Sequence, residues 1–276
     1  MLVSVVDDHG TPMTKFVPSD FRANFRGRPL TIRSIRTVPA QRRAVLVLDR
    51  SASMGGLRKW RVATAAVRAI VAASPGEVTI ALIAIGDEVQ VAVNFGGSHA
   101  DVANALASYA SNRDFPKGRT SLVDGVSKAL ELLQPARVGD TIYAVTDGAD
   151  NRSMKTFDQI RPALDASRVR LAAILVVDGS PRTEEERSGP VELADITRET
   201  GGWNILVDGN NTQERIDAIT KGIGVLASYA GIIIQLELPE PVEKWGVWHL
   251  DLVDDQGHKR KYLKLNYPRK LGPCNP

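Results

Sequence analysis

The apolar run Ala44-Val45-Leu46-Val47-Leu48 is closed by Asp49-Arg50-Ser51-Ala52-Ser53, and this junction constrains the fold more than any other stretch of the chain. A continuous apolar run bounded by polar turn residues reads as a strand buried on both faces, the kind found in parallel sheets. In open α/β sheets, ligands collect in the crevice beyond the carboxyl ends of such strands. One carboxylate and two hydroxyls therefore stand where a ligand site is expected. Hard oxygen donors without His or Cys suit Mg²⁺, Mn²⁺ or Ca²⁺ rather than zinc or copper. The competing reading is a plain helix N-cap, because Ser and Asp cap helices well and a helical pattern follows from Gly55.

The surroundings favour the metal. Thr120 lies in the polar loop Pro116-Lys117-Gly118-Arg119-Thr120-Ser121, just before a helical stretch from Leu122 to Leu133. Asp147 ends a second buried strand, Thr141 to Thr146, and Gly148 follows it. Two strand ends and a helix-start loop thus offer Asp49, Ser51, Ser53, Thr120 and Asp147. Mg²⁺ takes six oxygens and keeps several waters, so these groups acting partly through water make a plausible shell.

Strands and helices alternate through the middle of the chain, which predicts a doubly wound, mostly parallel sheet flanked by helices. Strands are expected at 44–49, 78–85, 88–95, 141–146, 170–177 and 203–207. Helices are expected near 56–73, 99–109, 122–133, 156–166, 191–200 and 213–227. Asp178-Gly179-Ser180-Pro181 reads as a turn, and Thr183-Glu184-Glu185-Glu186 as a solvated, flexible segment. Both ends are strand-rich: 2–6, a hairpin of 21–25 and 30–35 around Gly27-Arg28-Pro29, then 232–238, 245–253 and 260–265. Neither end alone has enough strands to bury a core. The expectation is residues 1–40 pairing with 228–276 in a small β-sandwich-like domain, with 41–227 carried as an insertion.

The segments D-R-S-A-S, R-T-S-L-V-D-G and V-T-D-G-A-D-N resemble the metal-ion-dependent adhesion site of von Willebrand factor type A (VWA) domains, and the match covers about residues 41 to 227. The split layout is similar to that of bacterial, acidobacterial-type VWFA-related proteins. The resemblance implies Ser51, Ser53 and Thr120 as direct metal ligands, with Asp49 and Asp147 acting partly through water. It implies Mg²⁺, with Mn²⁺ or Ca²⁺ as alternatives, and a protein ligand that presents an Asp or Glu to the cation. Arg50, Arg119 and Asp150 would form the rim. Arg50 and Arg119 depart from the small or uncharged residues usual in the family; beside a cation they would weaken its binding by like-charge repulsion, whereas turned outward, the favoured reading, they would attract an acidic partner.

Enzyme motifs are missing. Arg50-Ser51-Ala52-Ser53 lacks both glycines of a nucleophile elbow, and neither a P-loop nor G-x-G-x-x-G occurs. A haloacid-dehalogenase-type site needs a second Asp where Ser51 stands, and metal-dependent hydrolysis lacks an identified base. The expectation is a binding module, not an enzyme. Two roles remain open. One is a secreted or envelope-attached adhesion module, which the resemblance favours. The other is an intracellular subunit docking onto an ATPase ring or chelatase, which the lack of a signal-peptide pattern at Met1 to Asp8 favours.

The chain has 276 residues, 43% hydrophobic and 24% charged, with net charge +3. Its arginines concentrate between Arg22 and Arg43, but aromatics are only 5% and do not interleave with them, so no nucleic-acid partner is expected. No apolar segment reaches membrane-span length. A single cysteine, Cys274, excludes an intrachain disulfide, and His9, His99, His249 and His258 lack ligand spacing.

Overall fold

The computed structural model describes residues 1–39, 41–55, 57–111, 117–179 and 183–273; Pro116, the Ser180-Pro181 turn and Cys274 lie outside the described residues. The chain opens with β1 (Leu2–Asp7), β2 (Pro12–Met13), β3 (Phe21–Phe25) and β4 (Arg28–Thr37). The hairpin turn falls at Arg26-Gly27, one residue earlier than the Gly-Arg-Pro signal suggests. Arg26 (φ 51°) and Gly27 (φ 78°) are both left-handed, and Phe25 pairs with Arg28 across them. Two successive positive φ values let a two-residue turn follow the strand twist, so the proline is taken into β4 opposite Asn24.

Next comes the α/β unit: β5 (Arg43–Asp49), α1 (Leu57–Ala73), β6 (Thr79–Ile85), β7 (Val89–Val93), α2 (His99–Ser111), α3 (Leu122–Leu132), β8 (Thr141–Thr146), α4 (Phe157–Ser167), β9 (Arg170–Val177), α5 (Glu184–Glu199), β10 (Asn204–Asp208) and α6 (Gln213–Ser228). The strand order is β10-β9-β8-β5-β6-β7, parallel except for β7, which folds back on β6. Alternation along β5 splits the core. Ala44, Leu46 and Leu48 pack on the side of Val62, Val67, Ile70 and Ile223, while Val45 and Val47 pack on the side of Leu122, Val126, Phe157 and Ile196. The chain runs from β5 to β6 on one flank and later to β8 on the other. The end of β5 is therefore a topological switch point, where a crevice opens.

One expectation is corrected here. The helix expected from Val191 begins at Glu184, so the solvated Thr183-Glu184-Glu185-Glu186 segment is the start of α5. The Thr183 hydroxyl accepts the Glu186 N–H at 3.2 Å, and the three glutamates occupy the first turn, where the helix dipole favours negative charge. A run of like charges suggests a solvated loop; its position at a helix N-terminus makes it a start signal. Further along, α5 lies against the loop after β8. A Cβ on Gly189 would stand 2.1 Å from the Gly148 carbonyl oxygen, so that approach requires glycine.

The chain closes with β11 (Ile232–Glu237), β12 (Gly246–Leu252), β13 (Leu263–Asn266) and β14 (Lys270–Leu271). These join the opening strands in one curled antiparallel sheet of eight, ordered β13-β1-β11-β4-β3-β12-β14 with β2 on β1. The two ends interleave: β1 lies between β13 and β11, and β3 between β4 and β12. The strand expected over 260–265 begins only at Leu263. The two-residue β2 and β14 are too short to leave a periodic pattern. Several of the concentrated arginines are structural. Arg42 is buried and donates to the Ala227 and Ser228 carbonyls at the end of α6 (2.8 and 2.9 Å). Arg43 pairs with the fully buried Asp140 at 2.5 Å, and Arg33 with Glu237 at 2.5 Å.

The curled sheet has its own core around Trp248, which is fully buried, stacks edge-on to Tyr267 at 4.9 Å and donates Nε1–H to the Pro268 carbonyl at 2.5 Å. Trp248→Ala should cost about 3–5 kcal/mol of unfolding free energy, from the cavity and the stranded carbonyl. Denaturant unfolding followed on the curled sheet measures it; a loss under about 1 kcal/mol would show that this sheet has no independent core.

Candidate metal centre

Asp49, the last residue of β5, is fully buried. Its Oδ1 accepts the Ser51 N–H at 2.8 Å and its Oδ2 accepts the Thr146 hydroxyl at 2.6 Å, which hold the carboxylate at the sheet edge. The chain then makes one turn of 3-10 helix, Ala52–Met54, pinned from below by the fully buried Met54. Ser51 precedes that turn but makes no side-chain capping bond. Its hydroxyl instead lies 3.0 Å from the hydroxyl of Ser53. Two adjacent hydroxyls are thus left beside a buried carboxylate, while the cap position of α1 lies outside the described residues.

The Thr120 loop is stitched to this turn. Ala52 N–H donates to the Gly118 carbonyl (2.9 Å), and Lys117 N–H to the Arg50 carbonyl (3.0 Å). Gly118 has φ +84°, and a Cβ there would stand 2.2 Å from Asp87 Oδ2, the carboxylate that accepts the Arg119 N–H. Thr120, only 2% exposed, is tied on both sides to the loop after β8: its N–H donates to Asn151 Oδ1 (3.0 Å) and its carbonyl accepts the Asn151 N–H (3.1 Å). Asp147, 4% exposed, completes the group from the end of β8. Burial, and next the negative charge of Asp147, push the Asp49 carboxyl up to about 7. Two buried carboxylates, with the Ser51, Ser53 and Thr120 hydroxyls on the loops stitched around them, are oxygen donors of the kind a divalent cation fits, since the cation relieves both effects. Among the described residues no three His, Cys, Asp or Glu side chains gather as a metal cluster; the hydroxyls make up the set.

The rim residues differ in role. Arg50 is half-buried, with its guanidinium 4.6 Å from the Tyr109 ring centre and 3.4 Å from Gln90 Oε1, so it lies along α2 and β7. Arg119 is exposed. Asp150 is engaged in local bonding: Oδ2 accepts the Val123 N–H (2.8 Å) and the Ser153 hydroxyl (2.6 Å), and Oδ1 accepts the Ser153 N–H (3.0 Å). It caps α3 from outside that helix.

Several partners escape sequence reasoning. Thr146 is an ordinary strand residue in the sequence and Asn151 an ordinary loop residue. Lys59, on α1, donates to Asp147 Oδ2 at 2.9 Å and stands 3.7 Å from Asp178 Oδ1. Asp178 follows β9 as Asp147 follows β8; that repeated strand-end carboxylate was the one available signal.

Residues 44–149 match the family model described as von Willebrand factor type A domain. Among solved structures, a von Willebrand factor type A protein from Catenulispora acidiphila is similar over 95% of this chain and 70% of its own, at 11% identity and TM-score 0.53. Proximal thread matrix protein 1 (PTMP1) from the mussel byssus, in a form with a zinc-occupied MIDAS motif, is similar over 72% of this chain at 18% identity and TM-score 0.54. This chain covers 48% of that protein. Comparison with curated proteins gives no match. Strand order, family match and structural likeness agree: the α/β unit has the von Willebrand factor type A fold. In this chain that fold sits between the two halves of a curled antiparallel sheet.

Proposed function

We propose that the protein is a metal-ion-dependent interaction module, in which a divalent cation held by Asp49, Ser51, Ser53, Thr120 and Asp147 anchors an Asp or Glu of a protein partner. The observation that carries this is Asp49: fully buried beside a second carboxylate, and with no cationic partner among the described ion pairs. A buried carboxylate left so is costly unless a cation joins it. Hydroxyl-rich oxygen donors favour Mg²⁺ or Mn²⁺, and the mussel protein with its zinc-occupied motif shows that this fold can house a divalent ion. When bound, the ion supplies an electrophilic anchor for a carboxylate. The chain's own residues orient the donors, and the burial of Asp49 and Asp147 lowers the local screening so that a charge-assisted contact counts for more.

We read the site as binding rather than catalytic. The basic side chain at its edge, Lys59, is taken up in ion pairs with Asp147 and Asp178. Exposed Lys117, Arg119 and Arg152 on the same loops suit an acidic partner, chiefly by speeding encounter. Titration of Mg²⁺ and Mn²⁺ into EDTA-stripped protein, by calorimetry and by thermal shift, is expected to show saturable one-site binding. Millimolar metal giving neither heat nor a Tm shift would refute the reading. Any acidic partner should bind with metal and be released by EDTA, and Arg119→Glu should slow association more than it speeds dissociation.

A further inference from the structure

Counted from the sequence, Asp49 and Asp147 neutralise a divalent cation. The structure places a further charge at the centre. Lys59 projects from the first turn of α1 into the crevice, its side chain 11% exposed, with Nζ 2.9 Å from Asp147 Oδ2; Asp147 is itself 4% exposed. This is a buried pair, where charges act at short range with little screening. The contact from Nζ to Asp178 Oδ1 is longer, 3.7 Å, and Asp178 is 37% exposed, so water screens it. The ammonium therefore acts mainly on Asp147. It occupies a carboxylate oxygen that would otherwise face a cation or its water, and it repels a dication placed beside it.

We propose that Lys59 is a resident counter-cation of this metal centre. It keeps Asp147 paired when no metal is bound, weakens metal binding, and leaves the loaded site with excess positive charge that an acidic ligand neutralises. Two carboxylates, one ammonium and a divalent ion do not cancel; a carboxylate from outside completes the balance. Metal and acidic ligand therefore strengthen each other's binding, reciprocally, more than at a site without the lysine. The inference rests on the metal-centre reading above.

The test is Mn²⁺ titrated calorimetrically into EDTA-stripped wild type, Lys59→Met and Asp178→Asn, with the metal-induced Tm shift as second readout and far-ultraviolet circular dichroism as the check on folding. Lys59→Met is expected to bind Mn²⁺ roughly tenfold tighter or more, since a like charge at short range is removed. Its metal-induced Tm shift should also be larger, because Asp147 then has the metal alone as counter-charge. Because water screens Asp178, Asp178→Asn is expected to leave Mn²⁺ affinity nearly unchanged, and a shift there as large as that in Lys59→Met would overturn the assignment of Lys59 to Asp147. A folded Lys59→Met variant with wild-type or weaker affinity overturns the proposal. Should that variant not fold, Lys59→Gln takes its place, and wild-type or weaker Mn²⁺ affinity in folded Lys59→Gln overturns the proposal. The two layers separate cleanly. No binding by wild type or by Lys59→Met removes the metal centre and this role together, whereas wild-type binding with an unaltered folded Lys59→Met removes the role of Lys59 alone.

Discussion

Asp49→Ala is expected to lower Mg²⁺ and Mn²⁺ affinity by about 100-fold or more while the protein stays folded, and Thr120→Ala to do the same. In the proposed centre Asp49 supplies one of the two carboxylates that face the ion, and nothing else at the end of β5 replaces it. In that centre Thr120 is the donor from the loop stitched to both neighbouring loops, and its backbone is held on both sides by Asn151 before any ion arrives. The fold should tolerate either change. Asp49→Ala strands the Ser51 N–H and the Thr146 hydroxyl, at about 1–3 kcal/mol, but it also removes a buried charge whose ionisation burial opposes. Unchanged metal affinity in both variants, measured by calorimetry, would sink the assignment of the site.

The metal-free protein gives the same residue a pH signature. A carboxyl raised to about 7 in the folded state keeps a proton that the unfolded chain has released. Stability in EDTA should then fall as pH rises from about 4 to about 7, stay low above that, and be restored by Mn²⁺. Asp49→Asn should flatten the profile.

Removing residues 1–36 should unfold the closing strands and spare the α/β unit. β11 pairs with β1 on one side, Leu2 opposite Ile233, and with β4 on the other, Thr31 opposite Glu237 through Thr37 opposite Ile232. β12 pairs with β3 over Phe21 to Phe25. The truncation takes away nearly all of these partners, and Val3, Val5, Phe21, Ala23 and Leu30 leave the core around Trp248. Neither face of the α/β core draws on residues 1–36. Hydrogen exchange at 232–252 should rise to the rate of frayed segments, while β5 and β8, central in the other sheet, stay protected. Equal protection of 232–252 with and without the first 36 residues would mean that the closing strands stand alone.

Read alone, the sequence determined the α/β alternation, because a parallel strand buried on both faces must be a continuous apolar run, and 44–48 and 141–146 are such runs. It also determined which oxygens stand at the strand ends, since Asp49 and Asp147 follow those runs directly, and it signalled strands at both termini. Tertiary structure decided what local periodicity does not encode. Interleaving of β1 and β3 with the closing strands depends on pairing between residues more than 200 positions apart, such as Leu2 with Ile233. Asp150, read as rim, bonds to Val123 and Ser153, and the glutamates after Thr183 form a helix start because of where the chain enters α5. Lys59 looks like any charged position on an amphipathic helix; only the packing of α1 over the sheet brings it to Asp147, 88 residues further on, and so sets the charge of the site. Strand and helix come from spacing within a few residues, whereas the electrostatics of a crevice come from which distant side chains share it.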